Sequence, residues 1–210
     1  MKKRKWNIFG DRTDFDFWVA LLLNGRTVPN GEKDKKHKNP PEKIIPQNYD
    51  YDCGFGMFCT GMLMIGREDV LKTNLYERLE VNPVDGTKSE NIKKVLEEES
   101  IQYIEMFEAK MEDLETLVRG EGFAFVSYQS EGTSEEIERL ECEHYSIVFD
   151  MDDESIWLID PSYDEELEPG FGKGVVRLMR DDFEKKWIDK GIDGTIYEKW
   201  LIGLKGAKND

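Results

Sequence analysis

Residues Phe55 to Ile65 are apolar almost all the way round, with Gly56 and Gly61 among them. A helix with no polar face cannot lie on a surface, so this segment has to become a central helix with protein on every side. The two glycines cost helix propensity but let neighbouring elements approach closely. Gly66 ends the run. A chain of 210 residues is long enough to wrap such a helix in one compact domain without metal or disulfide staples.

The elements around that helix follow from periodicity. Leu71, Leu75, Arg78 and Leu79 are spaced for one face of a second helix. Thr87 or Ser89 can cap a helix carrying Ile92, Val95 and Leu96, and Met111, Leu114, Leu117 and Val118 mark another, closed by Gly120. Ile101 to Ile104, Phe123 to Tyr128, Val175 to Leu178 and Trp200 to Leu204 read as strands. Between them lies the clearest hairpin: His144 to Met151, an Asp152-Asp153 turn, then Ser155 to Asp160. Phe183, Trp187 and Ile188 sit on a short helix near the end. Helices come first and most strands later, which is an α+β pattern and not an alternating one.

Charge divides the chain in two. Residues 1–46 hold 11 Lys/Arg against 6 Asp/Glu, and the remainder holds 18 against 39. The first part contains Phe15, Trp18, Val19 and Leu22 at helical spacing between a Thr13 cap and Gly25, then a polar, Lys-rich, Pro-containing stretch over 30–43. It is expected to be a basic helical arm and linker, with the main domain spanning 47–210. So acidic a body repels nucleic acid and anionic membranes and favours neutral or cationic peptides. The apolar run Phe17 to Leu23 is too short for a membrane span, and acidic residues precede it, so neither a signal peptide nor a span is expected. Cys53, Cys59 and Cys142 are an odd and sparse set with no C-x-x-C pair, which argues against a disulfide scaffold or zinc knuckle and fits a reducing, cytoplasmic setting. No cofactor motif is present.

Cys53 stands where loop turns into helix, where the positive end of the helix dipole favours a thiolate. Gly54 leaves room beside it for a substrate carbonyl, and the Cys53 and Gly54 backbone amides are natural oxyanion donors. Gln47, six residues upstream, can add a side-chain amide. A hairpin loop of odd length centred on Asp152 sets His144 directly opposite Asp160, so the carboxylate can hold one imidazole nitrogen while the other faces Cys53. A two- or four-residue loop would set His144 opposite Pro161 instead.

The segment Gln47-x5-Cys53-Gly54, the apolar helix after it, and His144-Tyr145 with Asp160-Pro161 sixteen residues later resemble the C39-like peptidases of the papain-like superfamily. The resemblance runs from about Gln47 to Leu204. It implies a papain-like fold, the nucleophile's helix packed on an antiparallel sheet, a Cys53–His144–Asp160 triad with Gln47 assisting the oxyanion hole, and cysteine-peptidase activity on a peptide or protein. Phe55 stands where family members often carry a small residue, and the basic arm is outside the pattern.

Other readings of the same residues remain. An acyl transferase or transpeptidase would use the same triad with another acceptor. A silent binding module would keep the triad behind the arm, with Trp6, Phe15 and Trp18 as a plug. Cys142 shares a strand face with His144 and would allow a redox lock with Cys53, or a zinc site with Cys53 and His144, or would be a bystander. Cys59 is core. Glu131, Glu135, Glu136, Glu138, Glu141 and Glu143 lead into His144 as either a subsite for basic side chains or a solvated loop.

Overall fold

The computed structural model describes residues 6–9, 37–130, 132–190 and 194–206. The apolar segment forms helix α1 (Cys53–Met64), and nine of its twelve residues are buried. Phe58 and Met62 are fully buried, each burial being worth about 1.5–3 kcal/mol. Gly61 explains how close the helix lies to its support: a Cβ there would stand 2.3 Å from the Phe125 ring.

Where spacing predicts one further helix there are two, α2 (Glu68–Leu71) and α3 (Leu75–Arg78). The Thr73 hydroxyl and amide both donate to the Val70 carbonyl, and Leu75 N donates to Thr73 O, so the helical ladder closes early. Helix α4 (Ser89–Glu98) buries Ile92, Val95 and Leu96. Neither Thr87 nor Ser89 caps it; Lys88 occupies the N-cap position without a side-chain bond.

The sheet is built from β1 (Trp6–Phe9), β2 (Tyr103–Met106), β3 (Gly122–Gln129), β4 (Glu143–Met151), β5 (Ser155–Ile159), β6 (Val175–Met179) and β9 (Leu201–Lys205). Its order is β1-β2-β9-β3-β4-β5-β6, antiparallel throughout. A small ribbon pairs β7 (Ile188–Lys190) with β8 (Ile196–Glu198). On one face Phe123, Phe125, Tyr145, Ile147 and Phe149 pack with α1 and α4. On the other, Ala124, Val126, Val148 and Leu158 pack with Leu114, Leu117 and Val118 of α5 (Met111–Arg119) and with Phe183 of α7 (Arg180–Lys186). The sheet centre is therefore covered on both faces. This is a mixed fold of helices and one antiparallel sheet.

Trp6–Phe9 joins the sheet edge beside β2, which the sequence did not announce. The helix expected from Phe15 to Leu22 lies outside the described residues, as do Phe15 and Trp18. The end of the Lys-rich stretch is tied to the body. His37 Nδ1 lies 2.9 Å from Asp150 Oδ2 and its ring 4.2 Å from that of Trp157, while Lys38 Nζ bonds the Val118 and Gly122 carbonyls. The glutamate-rich stretch, expected as loop, contains a short helix α6 (Ser134–Glu138) that Thr133 and Glu136 close with a capping box.

The hairpin register differs from the expected one. The loop is two residues, Asp153 and Glu154, closed by Asp152 N donating to Ser155 O at 3.0 Å, with Asp152 Oδ1 accepting from the Glu154 and Ser155 amides. Met151 pairs with Ile156 and Asp150 with Trp157, but Val148 pairs with Leu158, so one extra residue bulges from β4. Val148 and Met151 consequently lie on the same face although three residues apart. Continuing the register past Ile159 puts Ser162, not Asp160, opposite His144. Asp160 is on the same face, one diagonal away.

Candidate active site

The chain before α1 is shaped by Asp52. Its Oδ1 accepts from the Asn48 and Tyr49 amides at 3.0 and 3.1 Å, and the residue is fully buried. This folds residues 48–52 into a tight turn that delivers Cys53 as the first residue of α1. Gln47 N donates to Pro161 O at 2.8 Å, joining the loop to the segment that follows β5. Gly56 completes the junction, since a Cβ there would lie 2.9 Å from Pro161 Cβ and 3.0 Å from Ile45 O. The first turn of α1 thus rests directly on Pro161, the residue after Asp160.

His144 is the second residue of β4 and is buried. Its Nε2 lies 2.7 Å from Asp160 Oδ1, and the Cys53 sulfur is near enough to act on the imidazole. With Nε2 engaged by the carboxylate, Nδ1 is the nitrogen left for the thiol. Burial pushes the imidazole toward neutrality, but Asp160 and the Cys53 sulfur outweigh it, and the pKa is raised to about 10. Burial also pushes Asp160 up, yet the bonds from His144 and Ser162 win and hold it below the ordinary carboxylate value.

Two residues of this cluster were not singled out from the sequence. Ser162 donates to Asp160 Oδ1 from its amide at 2.9 Å and from its hydroxyl at 2.5 Å, and that hydroxyl lies 3.1 Å from His144 Nε2. Tyr128 OH donates to Asp160 Oδ2 at 3.3 Å, and its ring stands edge-on to the imidazole. Ser162 had a weak signal, a serine two residues after Asp160 in turn context. Tyr128 had none, because it arrives from another strand.

Gln47 is half-buried, and its Oε1 is buried without a partner, the state of a polar group whose complement is not part of the fold. The space beside Gly54 is taken by protein: a Cβ there would stand 2.6 Å from Thr87 Cβ. That glycine accommodates Thr87 and does not open room for a carbonyl as expected.

All three cysteines are free. Burial pushes the Cys59 thiol up to about 12, as suits a core position. Cys142 is half-buried and lies against Gly132, where a Cβ would come within 2.3 Å of its Sγ. Among the described residues no group of three His, Cys, Asp or Glu side chains is arranged to hold a metal ion, so Cys53, Cys142 and His144 do not make the zinc site considered above. Among the same residues no helix is long and apolar enough to cross a membrane. Of the glutamates, Glu136 is spent on the α6 cap and Glu141 pairs with Arg139 at 2.9 Å.

No protein-family model and no curated protein matches the sequence. The fold is similar to a crystal structure described as a "putative C39-like peptidase from Bacillus anthracis", at 12% identity and a TM-score of 0.52, over 83% of this chain and 100% of that one. At that identity the likeness concerns the fold alone.

Proposed function

We propose that this chain is a papain-like cysteine peptidase of the C39-like type, acting on peptide or isopeptide bonds. The observation that carries the reading is the buried 2.7 Å contact of His144 Nε2 with Asp160, with Cys53 at the start of α1 near enough to act on the same imidazole. A helix start, an imidazole and a buried carboxylate are the parts a nucleophilic thiol requires.

In this reading the Cys53 sulfur reacts as a thiolate beside a protonated His144. Sγ attacks the amide carbonyl carbon, and the oxyanion is held by the Gln47 amide and the backbone N–H groups at Cys53 and Gly54. The C–N bond breaks as His144 gives its proton to the leaving amine, leaving a thioester on Cys53. Neutral His144 then takes a proton from water, the hydroxide adds to the thioester, the C–S bond breaks, and the acid departs with the ion pair restored. Asp160 holds the ring by Nε2, and Ser162 and Tyr128 hold Asp160. Residues 47–210 form the catalytic domain and 1–46 an added arm. Three unpaired thiols suit a reducing, cytoplasmic compartment.

The test is incubation of the full chain with a diverse peptide mixture, followed by mass spectrometry of the products, beside Cys53→Ala. New termini that require Cys53 are expected. Products equally abundant with Cys53→Ala, or Cys53 inert to iodoacetamide at every pH below 9, would sink the reading.

A further inference from the structure

Behind Gly54, on the Thr87 side, the fold forms a half-open cavity of about 350 Å³, within the size range of small-ligand pockets. Thr87, Glu90, Glu143, Tyr145, Asp189 and Trp200 are among its lining residues. It adjoins the nucleophile's surroundings on two counts. Thr87 is packed on Gly54, the residue after Cys53, and Tyr145 belongs to the same buried cluster as Cys53.

The wall is strongly one-signed. Lys88, also in the lining, is paired with Asp85 at 3.1 Å, and among the described residues no cation pairs with Glu90, Glu143 or Asp189. Glu143 and Asp189 line the same cavity, each close enough to act on the other's carboxyl, and Lys190 N donates to Asp189 Oδ1. Glu143 as a residue is open to solvent while Asp189 is buried. Burial, with the Asp189 charge acting on Glu143, holds both carboxyls above the ordinary range, so each lacks a counter-ion that the fold does not supply. An independent sign of a missing ligand is Thr87. It is 4% exposed, it lines the cavity, and its hydroxyl, free of the capping bond that its position suggested, has no hydrogen-bond partner. Tyr145 and Trp200 give the cavity aromatic walls, their rings edge to face with centroids 6.0 Å apart.

We propose that this cavity is the specificity pocket for a lysine or arginine side chain next to the scissile bond, its cationic end held by the Glu143 and Asp189 carboxylates and its stem against Tyr145 and Trp200. The inference rests on the peptidase reading for the bond cleaved, but the pocket's chemistry stands by itself. Carboxylates recognise ammonium and guanidinium by charge-assisted hydrogen bonds, and aromatic faces add cation–π attraction. The buried Thr87 hydroxyl oxygen adds an acceptor for an ammonium with three N–H bonds to place.

The experiment separates pocket from chemistry. A set of peptides differing at one position only (Lys, Arg, norleucine or Glu, placed in turn at each of the two residues before the expected cut) is titrated calorimetrically into the full-length Cys53→Ala chain. Lysine or arginine peptides are expected to bind at least about tenfold tighter than the norleucine peptide at one of the two positions. That preference is expected to vanish when Glu143→Gln and Asp189→Asn are added, and to shrink with Glu143→Gln alone, a change at a solvent-open residue that spares the core. Equal binding of all four peptides, or a basic preference untouched by the charge-removing changes, overturns the pocket. Wild type is then assayed with the same set. Cleavage without a basic preference overturns the pocket and leaves the peptidase reading standing, whereas basic-selective binding with no cleavage does the reverse.

Discussion

The imidazolium of His144 is sustained against burial chiefly by Asp160, and Asp160→Asn measures by how much. The raise from the ordinary 6.5 to about 10 corresponds to roughly 5 kcal/mol of preference for the charged ring, at about 1.4 kcal/mol per unit. Asp160 is the larger of the two influences that raise it, the Cys53 sulfur the other, so removing the carboxylate charge lowers the imidazole's pKa. Asparagine keeps an acceptor for Nε2–H and an oxygen for Ser162, so the geometry has every means to persist. The assay is the rate of Cys53 alkylation by iodoacetamide from pH 5 to 10, read by peptide mass spectrometry. Asp160→Asn is expected to label more slowly than wild type over the pH range in which its imidazole has lost the proton that the wild-type ring keeps up to about 10. Stability must move in step. The His144 contribution is fully present below about 6.5 and lost as pH rises through about 10, whereas that of Asp160 is present above its unfolded value and lost as pH falls through its depressed folded one. Wild type should therefore melt highest between these limits, and Asp160→Asn should lose the acid limb. Identical labelling profiles for two folded proteins would refute the argument that Asp160 sustains the charge.

Other outcomes follow from single contacts. Ser162→Ala removes the hydroxyl that binds both Asp160 Oδ1 and His144 Nε2, and should slow Cys53 labelling about three- to tenfold while leaving the melting temperature within a few degrees, by differential scanning fluorimetry. Gly54→Ala drives a methyl into Thr87 and should cost about 1–3 kcal/mol in urea denaturation, with part regained in Gly54→Ala/Thr87→Ala; additive losses would refute the steric cause. Cys59, buried and with its thiol raised to about 12, should escape iodoacetamide in the native chain at pH 8 and react once the chain is unfolded in urea.

Much of this was legible in the sequence for local reasons. An apolar segment without a polar face had to be a buried helix, and Phe55–Ile65 is one. Periodicities of 3.6 and 2 placed α4, α5, β3, β4 and β5, because those patterns report which faces meet a core. The boundary between loop and apolar helix marked Cys53 as a helix start. The identities of Cys53, His144, Asp160 and Gln47 as candidates needed only spacing and the chemistry of their side chains.

What remained was non-local. With the two-residue hairpin loop alone, His144 and Asp160 would fall on opposite faces of the sheet. The extra residue between Val148 and Asp150 restores the parity, and nothing in the local sequence distinguishes that bulge. Tyr128 and Ser162 meet at Asp160 only because β3 and β5 flank β4. Asp189 comes to the cavity from the small β7–β8 ribbon, 46 positions beyond Glu143, and turns one glutamate of an exposed acidic stretch into half of a carboxyl pair. The sequence by itself determined where most of the helices and strands lie and which side chains are candidates for chemistry, since propensity and periodicity act over a few residues. Register, strand order and the company each carboxylate keeps were decided by the tertiary structure, where one residue inserted in one strand reverses every side chain beyond it.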